Sequence, residues 1–182
     1  PSAVLEHLDI SLRCLIGVVF LAACIGKGRS RASWREFVAS LAAMRVVPAR
    51  LVPAAAYTVG LAEAAVVVLL LLPPTGRLGH LLAVLLLVAF SGGIAVTLRR
   101  RARVACRCFG AAGAPLGRRH LLRNGLLITA ALVGVAAEGA SGGVAPAGVA
   151  VAGVAGVVLG LLFVSFDDIV ELFVAPPARP GP

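Results

Sequence analysis

Five apolar stretches, each long enough to cross a lipid bilayer, constrain the fold of this chain more than any other feature. A transmembrane helix needs about 20 mostly apolar residues. The predicted spans run from Ile10 to Ile25, Leu51 to Leu72, Leu78 to Leu98, Leu121 to Ala137 and Val144 to Phe166. The first lacks a charged leader and a cleavage site, so it is interpreted as a retained span and not a signal peptide. The pattern predicts an all-α integral membrane protein in contact with the lipid bilayer.

Composition excludes the main alternatives to a membrane protein. The chain is 60% hydrophobic and 14% charged, whereas a soluble domain is about 45–50% apolar and about 25% charged. It has too little polar surface to cover a soluble core and too much apolar surface to remain disordered in water. A net charge of +9 can indicate nucleic-acid binding, but the chain has one Trp, one Tyr and no basic soluble domain. We therefore expect no nucleic-acid partner.

The basic residues predict how the chain is oriented. Of the 17 Lys and Arg residues, 14 lie in two segments, one after the first span and one from Arg99 to Arg123. The positive-inside rule places both segments on the cytoplasmic side of the cell membrane and the N-terminus outside. Apolar residues at spacings of three and four across 33–46 predict a short amphipathic helix at the inner interface, with a solvated basic loop as the alternative.

The motif Cys106-Arg107-Cys108-Phe109-Gly110 is the sharpest chemical feature of the sequence. Arg101, Arg103 and Arg107 surround the two thiols and would stabilise a thiolate, which is the reactive form of cysteine. A disulfide between such close neighbours is expected to be strained and therefore oxidising. The motif predicts a redox pair; the alternatives are incidental cysteines or a metal site that includes His120.

Other polar residues in or near the spans are weaker candidates. Cys24 is expected at the same membrane end as the cysteine pair and is a candidate relay, although a small buried side chain is the more common role for such a cysteine. Glu63, midway along the second span, is a candidate proton carrier; the alternative is a packing contact with Thr58 or Ser91. Arg123 is interpreted as an interfacial anchor.

The C-x-C-F-G string after a third span resembles the MauE family of methylamine utilisation proteins, within the DoxX-like group of membrane proteins. Arg13 and Gly17 early in the first span, Lys27 at its end and Glu63 in the second span carry the same likeness. The resemblance implies a four-helix transmembrane bundle over 8–137, with the interfacial segment 33–46 and the C-x-C loop 99–120. A turn and a fifth, Gly/Ala-rich span over 138–166 and a tail over 167–182 lie outside it. Members usually carry Gly where this chain has Arg107.

The resemblance implies a thiol-disulfide oxidoreductase or electron-transfer subunit in which Cys106 and Cys108 are the exchanging pair. It also implies a thioredoxin-like or exported thiol protein as partner and a lipid quinone as cofactor. Charge bias places the pair on the cytoplasmic side, where thiols are normally reduced, whereas the family association points to exported substrates. The alternatives are a scaffold subunit that binds a membrane partner through the glycines of the fifth span, and a metal-binding or transport protein.

Overall fold

Helices account for nearly all of the backbone that the computed structural model describes, which is residues 2–100, 118–139 and 145–173, with side chains described over 3–100, 119–139 and 145–165. Those ranges contain no strand. The helices are α1 (Ser2–Gly28), α2 (Arg31–Met44), α3 (Val52–Leu71), α4 (Gly76–Arg99), α5 (Arg118–Ala137) and α6 (Pro146–Phe173), with short 3-10 turns at Ala49–Leu51 and Pro73–Thr75.

Five of these helices are long and apolar enough to cross a membrane, which confirms the predicted all-α membrane fold. They correspond to the five predicted spans, but the first and last are longer than expected. α1 begins at Ser2, and α6 continues to Phe173, into the segment predicted as a tail. Helix ends are set by capping and packing as well as by hydropathy, so an apolar window alone places them poorly.

Four helices form the bundle in the cyclic order α1, α3, α4 and α5, with each helix packed against the next and α5 packed against α1. Their shared core is apolar and includes Ile16, Phe20, Val66, Leu87 and Leu127, all fully buried or nearly so. In lipid, helices gain little from hydrophobic burial, so packing of this kind and interhelical polar contacts hold the bundle together.

The bundle has two ends that matter for its chemistry. The Lys27 end contains the end of α1, all of α2, the end of α4 and the beginning of α5, where Met44, Ile94, Leu98 and Leu121 form a small cluster. The Arg13 end contains the first half of α1, the Pro73–Thr75 turn and Glu138 just after α5. The described residues of both predicted basic segments therefore lie at the Lys27 end.

The connection from α1 to α2 is tight because Ser30 caps α2. Its hydroxyl oxygen accepts a hydrogen bond from the Ser33 backbone N–H at 3.0 Å, a favoured arrangement at a helix N-terminus. α2 ends at Arg45, which adopts a left-handed φ of 51°. The Arg45 carbonyl accepts a hydrogen bond from the Arg100 side chain at 3.2 Å. α2 is thereby held across the Lys27 end of the bundle.

α6 packs outside the four-helix ring against α1, and this is the most extensive helix contact in the described structure. A Cβ at Gly156 would clash with the Ser11 carbonyl and lie 2.7 Å from the Cys14 Cβ, and one at Gly160 would lie 2.9 Å from the Val18 Cβ. The two glycines thus allow close approach of the helices. The glycine pattern that suggested a membrane partner is occupied by α1 of the same chain.

Candidate functional site

A buried ion pair joins α1 to α3 near the Lys27 end. The Lys27 ammonium donates hydrogen bonds to both carboxylate oxygens of Glu63, at 2.6 and 2.7 Å. The Lys27 side chain is 4% exposed and the Glu63 side chain is fully buried. Such a pair costs desolvation energy to bury, and removing either partner leaves an uncompensated charge. Its presence within a membrane bundle is a default indication of function.

This pairing replaces the packing contact with Thr58 or Ser91 that was one interpretation of Glu63, whereas the role of proton carrier stays a prediction. The Thr58 hydroxyl donates its hydrogen bond to the Ala54 carbonyl, and the Ser91 hydroxyl instead accepts one from the Asn124 amide at 3.3 Å. The partner of Glu63 is the lysine at the end of the first span. Both residues stood out in the sequence, but their contact depends on the register between α1 and α3, which hydropathy does not specify.

Aromatic side chains of α2 cover the ion pair. The Lys27 ammonium lies 4.8 Å from the centroid of the Phe37 ring, within the range of a cation–π interaction. Trp34 contacts both Phe37 and Tyr57, with ring centroids 5.7 and 5.0 Å apart. The amphipathic helix predicted from apolar spacing therefore packs its aromatic side chains against the buried Lys27–Glu63 pair.

A groove of about 540 Å³ opens beside the pair, between α1, α2 and α3. Its wall is largely apolar. The lining includes Cys24, Lys27, Arg31, Trp34, Tyr57 and Glu63. Sites for small molecules typically have this size and this combination of an apolar wall with a few placed polar groups. The groove therefore has the size and lining of a candidate small-molecule site.

The two described cysteines lie at different places on α1. Cys24 lines the groove, one helical turn before Lys27. Cys14 faces α6, where a Cβ added at Gly153 would lie 3.9 Å from its sulfur. Both are free thiols and both are half-buried. Cys24 is therefore placed beside a cavity, whereas Cys14 is part of a helix contact.

Arg123 and Asn124, near the beginning of α5, are buried by neighbouring side chains. Arg123 is 7% exposed and Asn124 is 2% exposed. The Asn124 amide reaches across to α4, as the hydrogen bond to Ser91 shows. Both side chains are therefore packed within the protein at the start of α5, and the role of Arg123 as an interfacial anchor stays a prediction.

A second polar cluster, missed in the sequence, lies at the Arg13 end. Arg13 forms ion pairs with Asp9 at 2.9 Å and with Glu138 at 2.7 Å. His80 of α4 is fully buried nearby. The signal that would have found His80 is an ionisable residue inside the third apolar stretch, which the rule for intramembrane ionisable groups singles out.

The predicted redox pair lies outside the described residues, as do Arg101, Arg103 and Arg107. The helix ends that flank that connection, Arg99 of α4 and Arg118 of α5, are at the Lys27 end of the bundle. Over the ranges that are described, no group of three or more His, Cys, Asp or Glu residues is arranged to hold a metal ion. His120 is described, but the two cysteines of the proposed metal set are not.

Comparison with known proteins places the chain in a family. The family model for methylamine utilisation protein MauE matches residues 5–137, which includes α1 to α5 and the Cys106–Cys108 connection and excludes α6. No curated protein and no solved structure matches the chain. Because the match covers well over half of the sequence, the chain belongs to the MauE family.

Proposed function

We propose that this protein is a membrane thiol-disulfide oxidoreductase that uses Cys106 and Cys108 to exchange disulfides with a partner protein. The observation that carries the proposal is the C-x-C motif, set among arginines within the family match. The helix ends that flank it lie at the same end of the bundle as the groove that contains Cys24, Lys27 and Glu63. The cavity thus lies at the end of the bundle where the helix before the motif ends and the helix after it begins.

The groove supports a lipid quinone as the redox partner of the cysteine pair. Oxidation of the Cys106/Cys108 dithiol to a disulfide releases two electrons and two protons, and a quinone takes up both to become a quinol. Trp34 and Tyr57, which both line the groove, offer faces for a flat ring. The partner protein exchanges its own dithiol or disulfide with the same pair, which balances the cycle in either direction.

Charge supports an orientation for this chemistry. The described parts of both basic segments lie at the Lys27 end, so the positive-inside rule favours the cytoplasmic side of the cell membrane for this end. A membrane-impermeant thiol reagent applied to intact cells and to inverted vesicles tests this orientation. Labelling of Cys106 or Cys108 in inverted vesicles alone agrees with the proposal, and labelling in intact cells overturns the orientation without affecting the redox role.

Thiol trapping in membranes tests the redox role itself. We expect Cys106 and Cys108 to be alkylated after treatment with a quinol and protected as a disulfide after treatment with the quinone, and the Cys106→Ser variant to lose oxidation of Cys108 and of the partner. Cys14→Ser is the matched control, because Cys14 faces α6 and not the groove. The proposal would be overturned if neither quinone nor quinol changed the oxidation of the cysteine pair and if the partner were still oxidised in the Cys106→Ser variant.

Competition for Cys24 tests the quinone site separately. A lipid-soluble maleimide should label Cys24 and Cys14, since both are half-buried free thiols. A short-tailed benzoquinone or naphthoquinone should slow labelling of Cys24 alone, and a Trp34→Ala variant should remove that protection. Equal protection of both thiols, or protection of neither, would rule out the groove as the quinone site while leaving disulfide exchange through Cys106 and Cys108 intact.

A further inference from the structure

Side chains from three parts of the bundle meet at the Arg13 end, away from the proposed redox groove. Asp9 and Arg13 come from α1, His80 from α4 and Glu138 from the residue after α5. The Arg13 guanidinium also donates to the Pro73 carbonyl at 3.3 Å. The side chains of Asp9, Arg13 and Glu138 are 15–16% exposed, and His80 is 0% exposed.

Two glycines make room for this cluster. A Cβ at Gly76 would clash with the Arg13 guanidinium, and a Cβ at Gly134 would clash with the imidazole ring of His80, 2.7 Å from its Cδ2. A larger residue at position 134 would displace His80, and a larger residue at position 76 would displace Arg13. The polar groups are therefore fitted into the helix packing and are not side chains left in a gap.

Several buried polar atoms of the cluster have no hydrogen-bond partner among the described residues. They are both ring nitrogens of His80, one oxygen of Asp9, one oxygen of Glu138 and Arg13 Nε, which lies 2.9 Å from Asp9 without the geometry of a hydrogen bond. The Gly76 backbone, one turn before His80, acts on the imidazole electrostatically, but neither ring nitrogen has hydrogen-bond geometry to it. Buried polar groups without partners are costly, and in proteins such groups are commonly satisfied by buried water that makes two to four hydrogen bonds. These atoms provide the polar surroundings that such water requires.

The charges of the cluster do not balance without one more proton. Asp9 and Glu138 provide two negative charges and Arg13 provides one positive charge, so one negative charge is uncompensated when the imidazole is neutral. Burial of the ring and the Arg13 charge oppose a proton on His80, whereas Asp9 and Glu138 attract one. α6 contributes no Asp, Glu, Lys, Arg or His between 146 and 165, and Arg77, next to Gly76, is exposed. A proton on His80 makes the cluster neutral.

The apolar core separates this cluster from the Lys27–Glu63 pair. Ile16, Val19 and Phe20 of α1 lie between the two and are buried against α3, α4 and α5. Arg13 and Lys27 are 14 residues apart (27 − 13), which is about 21 Å along a helix at about 1.5 Å per residue. Apolar packing therefore separates the Arg13 cluster from Glu63.

We propose that Asp9, Arg13, His80 and Glu138 form a hydrated proton-binding site that exchanges one proton with the aqueous phase at the Arg13 end. The proton comes from bulk water through ordered water molecules and is held on a ring nitrogen of His80, while both carboxylates remain ionised. The site is independent of the proposed redox function.

The test is a histidine nitrogen-NMR titration of the full chain in lipid nanodiscs between about pH 5 and pH 8, the range in which histidine normally changes charge. His80→Gln identifies the His80 signals among the three histidines. We expect those signals to move between the neutral and the protonated positions across this range. Signals that stay at one position throughout would overturn the proposal, because they would describe a permanently neutral or permanently charged core residue.

Charge-neutralising variants show whether the cluster controls that proton. Glu138→Gln removes a negative neighbour and should lower the midpoint of the His80 titration. Arg13→Gln removes a positive neighbour and should raise it, each by at least about half a pH unit. Glu36→Gln, on α2 at the other end of the bundle, is the matched control and should move it in neither sense. Shifts in the same sense, or no shift in either variant, would contradict the proposal.

Discussion

α1 places a charged side chain inside the membrane bundle near each of its ends, and the two charges are compensated in different ways. At the Lys27 end, one ammonium and one carboxylate satisfy each other with two short hydrogen bonds and an aromatic cover. At the Arg13 end, one guanidinium is shared between two carboxylates beside an unpartnered imidazole. The first arrangement is neutral and complete, and the second leaves a charge and several polar atoms for water. This difference predicts that mutations at the two ends change the free energy of unfolding by unequal amounts.

The largest effect is expected when the complete pair is broken. Lys27→Met leaves the Glu63 carboxylate buried without its cation, which should lower the free energy of unfolding by about 3–5 kcal/mol. Arg13→Met should cost clearly less, because Asp9 and Glu138 are partly exposed and can be hydrated. Unfolding of the purified protein by SDS, followed by circular dichroism, measures both.

Two further variants control this comparison. Lys27→Met combined with Glu63→Leu should recover most of the loss, because it removes both buried charges together. Arg50→Met, at an exposed position before α3, should have little effect. Equal losses for Lys27→Met and Arg13→Met would show that the two ends do not differ as described.

A smaller effect is expected where α6 meets α1 near the Arg13 end. Gly156→Ala places a Cβ against the Ser11 carbonyl, and backbone cannot move aside as a flexible side chain can. Overpacking of this kind costs about 1–3 kcal/mol, and the same SDS titration measures it. Gly92→Ala, an exposed helical position with no atom within 4 Å of the added Cβ, should be neutral or stabilising. A Gly156→Ala variant as stable as Gly92→Ala would mean that α6 does not pack on α1 in this way.

A still smaller effect is expected from the clearance around His80. Gly134→Ala forces the added Cβ against the imidazole ring, and a shift of the ring limits the loss to about 1–2 kcal/mol. In a His80→Ala background the same substitution should cost nothing, since the obstacle is gone. Gly125→Ala on the same helix meets no neighbouring atom and serves as the control. An undiminished cost in the His80→Ala background would place the clash elsewhere.

The smallest effect is expected for the coupling free energy between the two ends of the bundle. Glu63→Gln and Glu138→Gln remove one carboxylate from each cluster, across a buried apolar core. Their effects on the free energy of unfolding should add to within about 0.3–0.5 kcal/mol, as distant sites without shared partners do. A double-mutant cycle in the SDS titration measures this. A larger coupling energy would connect the two ends and contradict their independence.

The features predictable from the sequence were those that depend on local pattern. Apolar runs indicated five spans, and apolar spacing indicated α2, because hydropathy and periodicity are properties of one segment. The contact of Glu63 with Lys27, and of Arg13 with Glu138, depends on how separate helices align, so neither pairing could be derived from spacing. His80 could have been singled out as an ionisable residue inside an apolar stretch, but its packing against Gly134 depends on the same alignment of helices. The roles assigned to Cys106 and Cys108 remain predictions.

The paired clearances at the Arg13 end limit which residues can vary independently during evolution. Position 134 is restricted to glycine only while position 80 carries an imidazole, and position 76 only while position 13 carries a guanidinium. Sequences that replace the histidine are free to gain a methyl group at 134, and those that keep it are not. Covariation between 80 and 134, and between 13 and 76, is therefore the expected record of this packing in related chains.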